Sequence, residues 1–249
     1  MPHLKTRNTS PIPILTYHQI AEAPPEGTPY RSLVVDPEDF ARQMAFLRLM
    51  GYQGLSMSAL LPYLRGEKVG KVVGITFDDG YLNNLTNALP ALRRNGFSAT
   101  CYVVSQLIGH SNEWDLDVGV PSSTLMDALQ LRAWVAGGQE VGAHTRNHVH
   151  LNQLDDKACL AEIAGCKQEL EKLTGGAVTH FCYPYGEFET RHVQMVRNHG
   201  YLSATTTQRS RSHAGEDMMR LPRVPVARRT TLLALWMKLR TRYEDKKRV

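Results

Sequence analysis

Two pairs of side chains in this sequence have types and a spacing that suit chemistry. Asp78 and Asp79 stand side by side at the end of the apolar run 72–77, and His144 and His148 stand four residues apart in the segment HTRNH. Histidines at this spacing face the same side of a helix or tight loop, and two of them with one carboxylate form a common zinc site. The other carboxylate would be free to take a proton from water. The alternative is that the aspartates form only a turn, since Asp and Gly favour turns.

Apolar runs alternate with helical patterns along most of the chain. The apolar and β-branched runs predict seven strands, at 11–17, 72–77, 98–105, 139–144, 177–183, 201–206 and 220–226. The patterns between them predict helices at 36–51, 84–96, 125–138, 155–176 and 188–199. Continuous apolar strands alternating with helices indicate a parallel sheet covered on both faces. We therefore predict an α/β fold, a distorted TIM-like (β/α) barrel with about seven parallel strands.

Polar residues that close four of the predicted strands would meet at one rim of such a barrel. They are Tyr17 and His18, Asp78 and Asp79, His144, and the turn 183–186. Active sites of barrels of this kind lie at the carboxyl-terminal rim. We expect one site there, with long loops at 20–32 and 106–124.

These motifs together resemble the polysaccharide deacetylases of the NodB-homology type, which form carbohydrate esterase family four. ITFDDGY is similar to the first motif of the family, HTRNH to its second, H-S/T-x-x-H, and FCYPYG lies where the third motif falls. TYHQI, NGFSATCYVV, LRAWVAGGQEVGAHT and LPRVPV are similar in order and spacing to the branch with poly-N-acetylglucosamine deacetylases. The resemblance covers roughly 11–226. It implies a barrel that removes N-acetyl groups from an amino-sugar glycan or a lipid-linked glycan precursor.

The resemblance also implies roles for individual residues. A metal, Zn²⁺ or another divalent transition metal, would be held by Asp79, His144 and His148. Asp78 would be the general base for the attacking water. The backbone N–H of Tyr185 would stabilise the oxyanion, and Thr145 would steady the metal-binding loop.

Two features of the family pattern are missing. Many members carry an arginine before the third-motif prolines, where this chain has Cys182 and Tyr183; Arg223 in LPRVPV is the candidate to orient the base instead. The Leu-x-His segment that supplies the general acid is not evident. His18 is the first candidate for the acid, with a loop-supporting role as its alternative, and His213 is the second.

Further residues are expected to contact the substrate: Tyr183, Pro184, Trp114, Asp115 and Arg223. A ring such as Trp114 can stack on a sugar, although packing within the loop is the alternative. Two other functions stay open because of the missing features. One is a catalytically silent carbohydrate-binding barrel, and the other is hydrolysis of a different amide, such as that of a formyl sugar.

Charge divides the chain into two parts. Residues 227–249 hold eight Lys/Arg and two acids, while the rest is close to neutral in a chain of net charge +5. We expect a deacetylase barrel at 1–226 and a basic amphipathic helix or tail at 227–249. An apolar stripe in the tail favours either packing on the barrel or contact of 228–248 with an anionic membrane. Equal binding of the full chain and a 1–226 truncation to anionic liposomes would contradict membrane contact.

Composition argues against several other classes of protein. Basic charge is not spread over the fold, so nucleic-acid binding is not expected. Four separated cysteines without a CxxC pattern predict buried thiols rather than disulfides or a zinc ribbon. No apolar run is long enough for a transmembrane helix and no signal-peptide pattern is present. We therefore expect a cytoplasmic protein, with any membrane contact at the inner face. The sequence predicts no oligomeric state.

Overall fold

Parallel strands and flanking helices make up the computed structural model, which describes residues 10–248. In chain order the elements are β1 (Ile14–Tyr17), β2 (Gln19–Ile20), β3 (Val34–Val35), α1 (Pro37–Leu49), β4 (Gln53–Leu55), α2 (Met57–Leu64), β5 (Val72–Phe77), α3 (Leu89–Asn95), β6 (Thr100–Val103), α4 (Ala128–Ala136), β7 (Glu140–Ala143), α5 (Asp156–Thr174), β8 (His180–Cys182), α6 (Thr190–Asn198), β9 (Ser203–Arg209), β10 (Leu221–Pro225) and α7 (Leu232–Arg240).

Seven of the described strands close into a ring. The order around it is β1, β5, β6, β7, β8, β9 and β10, after which β10 pairs with β1 again. Every pairing in the ring is parallel, with Tyr17 opposite Phe77 where β1 meets β5. β4 pairs with the first half of β5, outside the ring. The predicted distorted (β/α) barrel with seven parallel strands is therefore confirmed.

Helix α1 shows how local sequence produces these elements. The Asp36 side chain accepts hydrogen bonds from the backbone N–H of Glu38 and Asp39, and Pro37 occupies the first turn, where its missing N–H has no partner to lose. Its apolar stripe of Phe40, Met44 and Leu47 is fully buried against the barrel. Burial of each such side chain contributes roughly 1.5–3 kcal/mol.

Three details differ from the predicted elements. β4 and α2 are missing from the prediction, because β4 has three residues with Gln53 exposed, and Pro62 interrupts the helical pattern of α2. A π-helical turn spans Asn84–Ala88 before α3 begins at Leu89. The π-helical turn runs directly into α3, and Pro90 lies in the first turn of α3.

The four cysteines are free and buried, as predicted. Helix α7 contacts α1 and buries Leu235 and Leu239, while Leu233 and Trp236 remain 68% and 38% exposed. Across residues 10–248, none of the helices combines the length and the apolar character needed to cross a bilayer. Contact of the tail with a membrane surface stays a prediction.

The segment after α7 is tied to the barrel by Asp245. Its carboxylate accepts hydrogen bonds from the backbone N–H, Nε and Nη2 of Arg211, at 3.0, 3.2 and 2.6 Å. Partial burial pushes the pKa of Asp245 upward, but Arg211 outweighs that effect, and the pKa falls from 3.8 to about 2.

Replacing Asp245 by Asn should lower the free energy of unfolding at pH 7 by roughly 1–2 kcal/mol, since one pKa unit corresponds to about 1.4 kcal/mol and water around this partly exposed carboxylate weakens the pair. A depressed pKa in the folded state stabilises the fold above the unfolded pKa, near 4, and this contribution is lost as the pH falls through about 2. Urea unfolding at pH 7, 4 and 3 should show the gap between wild type and variant shrinking with falling pH. Glu38→Gln, which breaks an exposed pair with Arg42, should cost less than about 1 kcal/mol. A gap that does not change with pH would contradict the ion pair as its source.

Candidate active site

The carboxyl ends of the barrel strands open into a cavity of about 730 Å³. Ten of the thirteen residues that the sequence predicts for the site line it: His18, Asp78, Asp79, Trp114, Asp115, His144, His148, Tyr183, Tyr185 and Arg223. Of the other three, Thr145 and Pro184 are buried and His213 is exposed. Parallel closure of the barrel thus brings residues from distant parts of the chain to one rim.

Asp79, His144 and His148 form a compact trio. The Nε2 atoms of His144 and His148 lie 3.5 and 3.4 Å from Oδ1 of Asp79. All three side chains are buried, and their possible ligand atoms lie within 4.8 Å of one another. One carboxylate oxygen and two imidazole nitrogens so arranged are a donor set typical of a divalent transition metal with open positions.

The outer nitrogens of both histidines are already engaged. Nδ1 of His144 donates to the carbonyl oxygen of Cys182 at 2.8 Å. Nδ1 of His148 lies 3.0 Å from the hydroxyl of Tyr185, which in turn donates to the His148 carbonyl at 3.4 Å. The Cys182 carbonyl can only accept, so it fixes a proton on Nδ1 of His144; with Nδ1 of His148 also engaged, both Nε2 atoms face Asp79. Fixing the tautomer in this way is what a metal-binding histidine requires, so the residues fit a metal.

Asp78 is held by Arg223, and one of its carboxylate oxygens also lies within 4.8 Å of a ring nitrogen of His144. Nη1 and Nη2 of Arg223 donate to Oδ1 and Oδ2 of Asp78, at 2.6 and 2.7 Å, and both side chains are buried. Burial pushes the pKa of Asp78 upward, but the charge and hydrogen bonds of Arg223 outweigh it, and the net pKa is below its usual value. A carboxylate has about four acceptor sites, so Asp78 keeps capacity to take a proton.

The loop between the two histidines is braced by a residue that sequence reasoning missed. Glu162 of α5 accepts hydrogen bonds from the backbone N–H of Arg146 and Asn147, at 2.8 and 3.0 Å, and from the side chain of Asn147. A charged residue on the otherwise apolar stripe of the predicted helix 155–176 could have indicated this role of Glu162. Thr145 lies on the same loop; its carbonyl accepts from the N–H of Ser105, and its buried hydroxyl has no hydrogen-bond partner within the described chain.

Backbone strain is concentrated around the site. The non-glycine residues with positive φ among those described are Tyr30, Asp79, Thr145, His148 and Tyr185. Four of them line the cavity, and the fifth, Thr145, lies between the two histidines. Non-glycine residues in the left-handed region cost on the order of 1 kcal/mol each, and such strain clusters at functional sites.

Comparison with known proteins agrees with this geometry. Residues 65–204, more than half of the chain, match the profile of the polysaccharide deacetylase family. This chain belongs to the polysaccharide deacetylase family. It is 28% identical over 226 residues to YxkH of Bacillus subtilis, which is described as a polysaccharide deacetylase; the match covers 90% of this chain and 74% of YxkH.

Two further proteins illustrate the similarity. The deacetylase PplD of Streptococcus pyogenes, solved in complex with acetate, superposes with a TM-score of 0.82 at 25% identity, covering 93% of this chain and 99% of that one. The poly-beta-1,6-N-acetyl-D-glucosamine N-deacetylase of Staphylococcus epidermidis is 21% identical over 237 residues, which is 89% of this chain and 82% of that protein.

The remaining predicted site residues of this family member lie at several places in and around the cavity. His18 Nε2 lies 3.8 Å from Oδ2 of Asp78, while His213 pairs with Asp245 near the tail and does not line the cavity. Trp114 stacks on the His148 ring, with centroids 4.4 Å apart. Tyr183 is fully buried and donates its hydroxyl to the Met219 carbonyl, at 3.1 Å.

Asp115 is half-buried beside Trp114 in the wall of the cavity. Burial, with the nearby charge of Asp79, raises the pKa of Asp115 to about 6. Pro184, predicted to contact the substrate, is buried and is not among the residues that line the cavity.

The Tyr185 hydroxyl is expected to matter for metal affinity. Tyr185→Phe should weaken zinc binding by about 10–100-fold, because His148 loses the partner that orients its ring. Competition with a chromophoric chelator measures the zinc affinity without any turnover. Tyr201→Phe is a matched control, since this buried hydroxyl bonds the Ile163 carbonyl and does not line the cavity. Equal zinc affinity in Tyr185→Phe and wild type would contradict an orienting role.

Proposed function

We propose that this member of the polysaccharide deacetylase family is a metal-dependent hydrolase that removes N-acetyl groups from an amino-sugar glycan or a lipid-linked glycan precursor. The observation that supports this most is the separation of two neighbouring carboxylates. Asp79 faces the two imidazoles, whereas Asp78 is held by Arg223 with a proton-accepting site to spare. A site that only bound a sugar would have no use for a second, ionised carboxylate beside a metal trio.

The metal-binding residues in this proposal are Asp79, His144 and His148. When bound, a divalent cation such as Zn²⁺ supplies a Lewis acid for the acetyl carbonyl and lowers the pKa of a coordinated water. Asp78 takes the proton of the attacking water. Arg223 keeps Asp78 ionised at neutral pH and fixes the direction of its lone pairs, so the base needs no reorganisation during the reaction.

Two further groups complete the proposed reaction. The backbone N–H of Tyr185, on the turn that follows β8, stabilises the charge that develops on the carbonyl oxygen. His18 gives a proton to the leaving amine, since its ring lies at the cavity wall beside Asp78. Trp114 supports His148 from its outer face and presents an aromatic edge to the substrate.

Release of acetate from N-acetylated amino sugars tests this function. Zinc-loaded protein should release acetate and form a free amine from N-acetylglucosamine oligomers, and protein stripped by a chelator should lose this activity and regain it with zinc. Formate release from N-formyl sugars in place of acetate would favour the deformylase alternative. Binding of the sugars without release of either acid would favour a catalytically silent carbohydrate-binding barrel.

A further inference from the structure

The cavity is larger than the cleavage of an acetyl group requires. Its volume of about 730 Å³ lies in the range of sites that enclose a drug-sized ligand, and an acetyl group fills a small part of it. The metal trio and Asp78 occupy one side. Two loops, 20–34 and 112–124, and the start of the segment after Asp79 line the rest, and Trp114 of the second loop reaches the trio by stacking on His148.

Apolar side chains cover much of that other side. We call them the apolar wall, and they are Pro24, Pro29, Leu33, Leu82, Val120 and Pro121. Leu33 and Leu82 are only half-buried, so they present apolar surface to the cavity. Exposed apolar surface in a concave site gains free energy when a ligand of the same character covers it.

Polar side chains on this side are mostly engaged with the protein or lie at the mouth. Asn83 donates through Nδ2 to Oε1 of Gln19, and its Oδ1 accepts the backbone N–H of Ile20, each at 3.0 Å. Glu22 and Thr86 also line the cavity, but both are exposed at its mouth. Asp115, Ser123 and Thr124 also line the cavity, so sugar hydroxyls would find partners next to the apolar wall but not on it.

The wall is pre-formed. Nε of Arg31 donates to the Pro24 carbonyl at 2.7 Å, which closes the first loop on itself. In the second loop, the fully buried Asn112 accepts the N–H of Ser123 at 2.6 Å. The two loops also touch, since a Cβ built on Gly119 would lie 3.8 Å from Cγ of Pro29. A ligand that fits such a wall does not have to order it first.

We propose that the apolar wall takes an aliphatic chain carried by the amino-sugar substrate, close to the amide that is cleaved. This inference rests on the proposed function, because it names the substrate class of the same site. The chain is either an N-acyl group longer than acetyl or an alkyl or isoprenoid group at the reducing end of the sugar. Both offer the same apolar chemistry, and the experiment separates them.

Affinity measured without turnover tests the inference. Calorimetry on metal-free protein gives the Kd for two series of ligands: methyl, butyl and hexyl glycosides of glucosamine, and methyl glycosides of N-acetyl-, N-butanoyl- and N-hexanoylglucosamine. Each methylene buried on the wall should lower Kd about three- to fourfold. A chain-length dependence in the first series identifies the reducing-end chain, and one in the second series identifies the acyl chain.

A variant of the wall makes the test specific. Leu33→Asn should weaken binding of the longest ligand at least fivefold and leave the shortest ligand unchanged, because Leu33 lies outside the core clusters of the barrel. Leu202→Asn is the control, since Leu202 is 41% exposed and does not line the cavity. Should Leu33→Asn fail to fold, the two series on the wild-type protein still decide the question.

Two results would overturn the inference: a Kd that does not change with chain length in either series, or the same chain-length dependence in Leu33→Asn and wild type. Neither depends on catalysis. Chain-length-dependent binding without any release of acid would count against the proposed hydrolase alone. Acetate release together with Kd values that do not change with chain length would contradict the apolar subsite alone.

Discussion

Replacement of Asp78 by Asn is expected to lower kcat for deacetylation about 10²–10⁴-fold, the usual contribution of a positioned general base, with little change in KM. Asn keeps the shape of the side chain and cannot take a proton. The metal trio should be intact, because both oxygens of Asp78 accept hydrogen bonds from Arg223 and Asp78 is not one of the three residues proposed to hold the metal.

Two controls accompany the Asp78→Asn variant. Its zinc content should equal that of the wild type, so that lost activity cannot come from lost metal. Its kcat should be compared with that of the wild type at saturating substrate over pH 6 to 9, which separates a defect in the chemical step from weaker substrate binding. Activity within threefold of wild type, with the metal retained, would exclude Asp78 as the base.

The substitution Arg223→Met is expected to lower the free energy of unfolding by about 3–5 kcal/mol, because it leaves the Asp78 carboxylate buried without a counter-charge. Arg223 is 2% exposed, and its Nε also donates to the Thr206 carbonyl at 2.9 Å, so that oxygen loses its partner as well. Urea unfolding of the metal-free protein measures the loss. A loss below about 1 kcal/mol would contradict a buried, mutually dependent pair.

A double-mutant cycle separates the ion pair from its surroundings. Asp78→Asn alone leaves the charge of Arg223 buried, and Arg223→Met alone leaves that of Asp78. The double variant removes both charges and should therefore be less destabilised than the sum of the two single variants. Strict additivity would show that the two groups do not depend on each other. The cycle needs no turnover, so it stands apart from the test of catalysis.

Much of the fold was predictable because the signals are local. A continuous apolar run such as 72–77 predicts a strand buried on both faces, and the structure has β5 over the same residues, Val72–Phe77. The helices predicted at 36–51 and 155–176 begin within one residue of those starts, and Asp36 and Asp155 cap them through their side chains. The pairing of β4 was not predictable, because its three residues carry too little pattern to register as a strand.

The candidate site, like the fold, was predictable only in part. The spacing of HTRNH and the doubled aspartate predict a metal-binding set, and the structure brings Asp79, His144 and His148 within 4.8 Å. The Tyr185 hydroxyl on His148 and the Glu162 carboxylate under the loop were missed. Both act on residues of other segments, so the sequence around Tyr185 and Glu162 does not name their partners, even though a charged residue on an apolar stripe marks Glu162 as unusual.

The amino-acid sequence alone predicted the parallel strands and the polar residues at their carboxyl ends, since apolar runs and motif spacing are properties of short segments. The family motifs named Arg223 as the candidate to orient Asp78, but only the tertiary structure shows that each Asp78 oxygen accepts a hydrogen bond from a separate Arg223 nitrogen. Arg223 lies 145 residues away, on a strand that pairs with β1 from the side opposite β5. The two side chains meet because β1 holds β5 and β10 on either side of itself when the ring closes. Ring closure is a long-range event, and no short stretch of sequence encodes it.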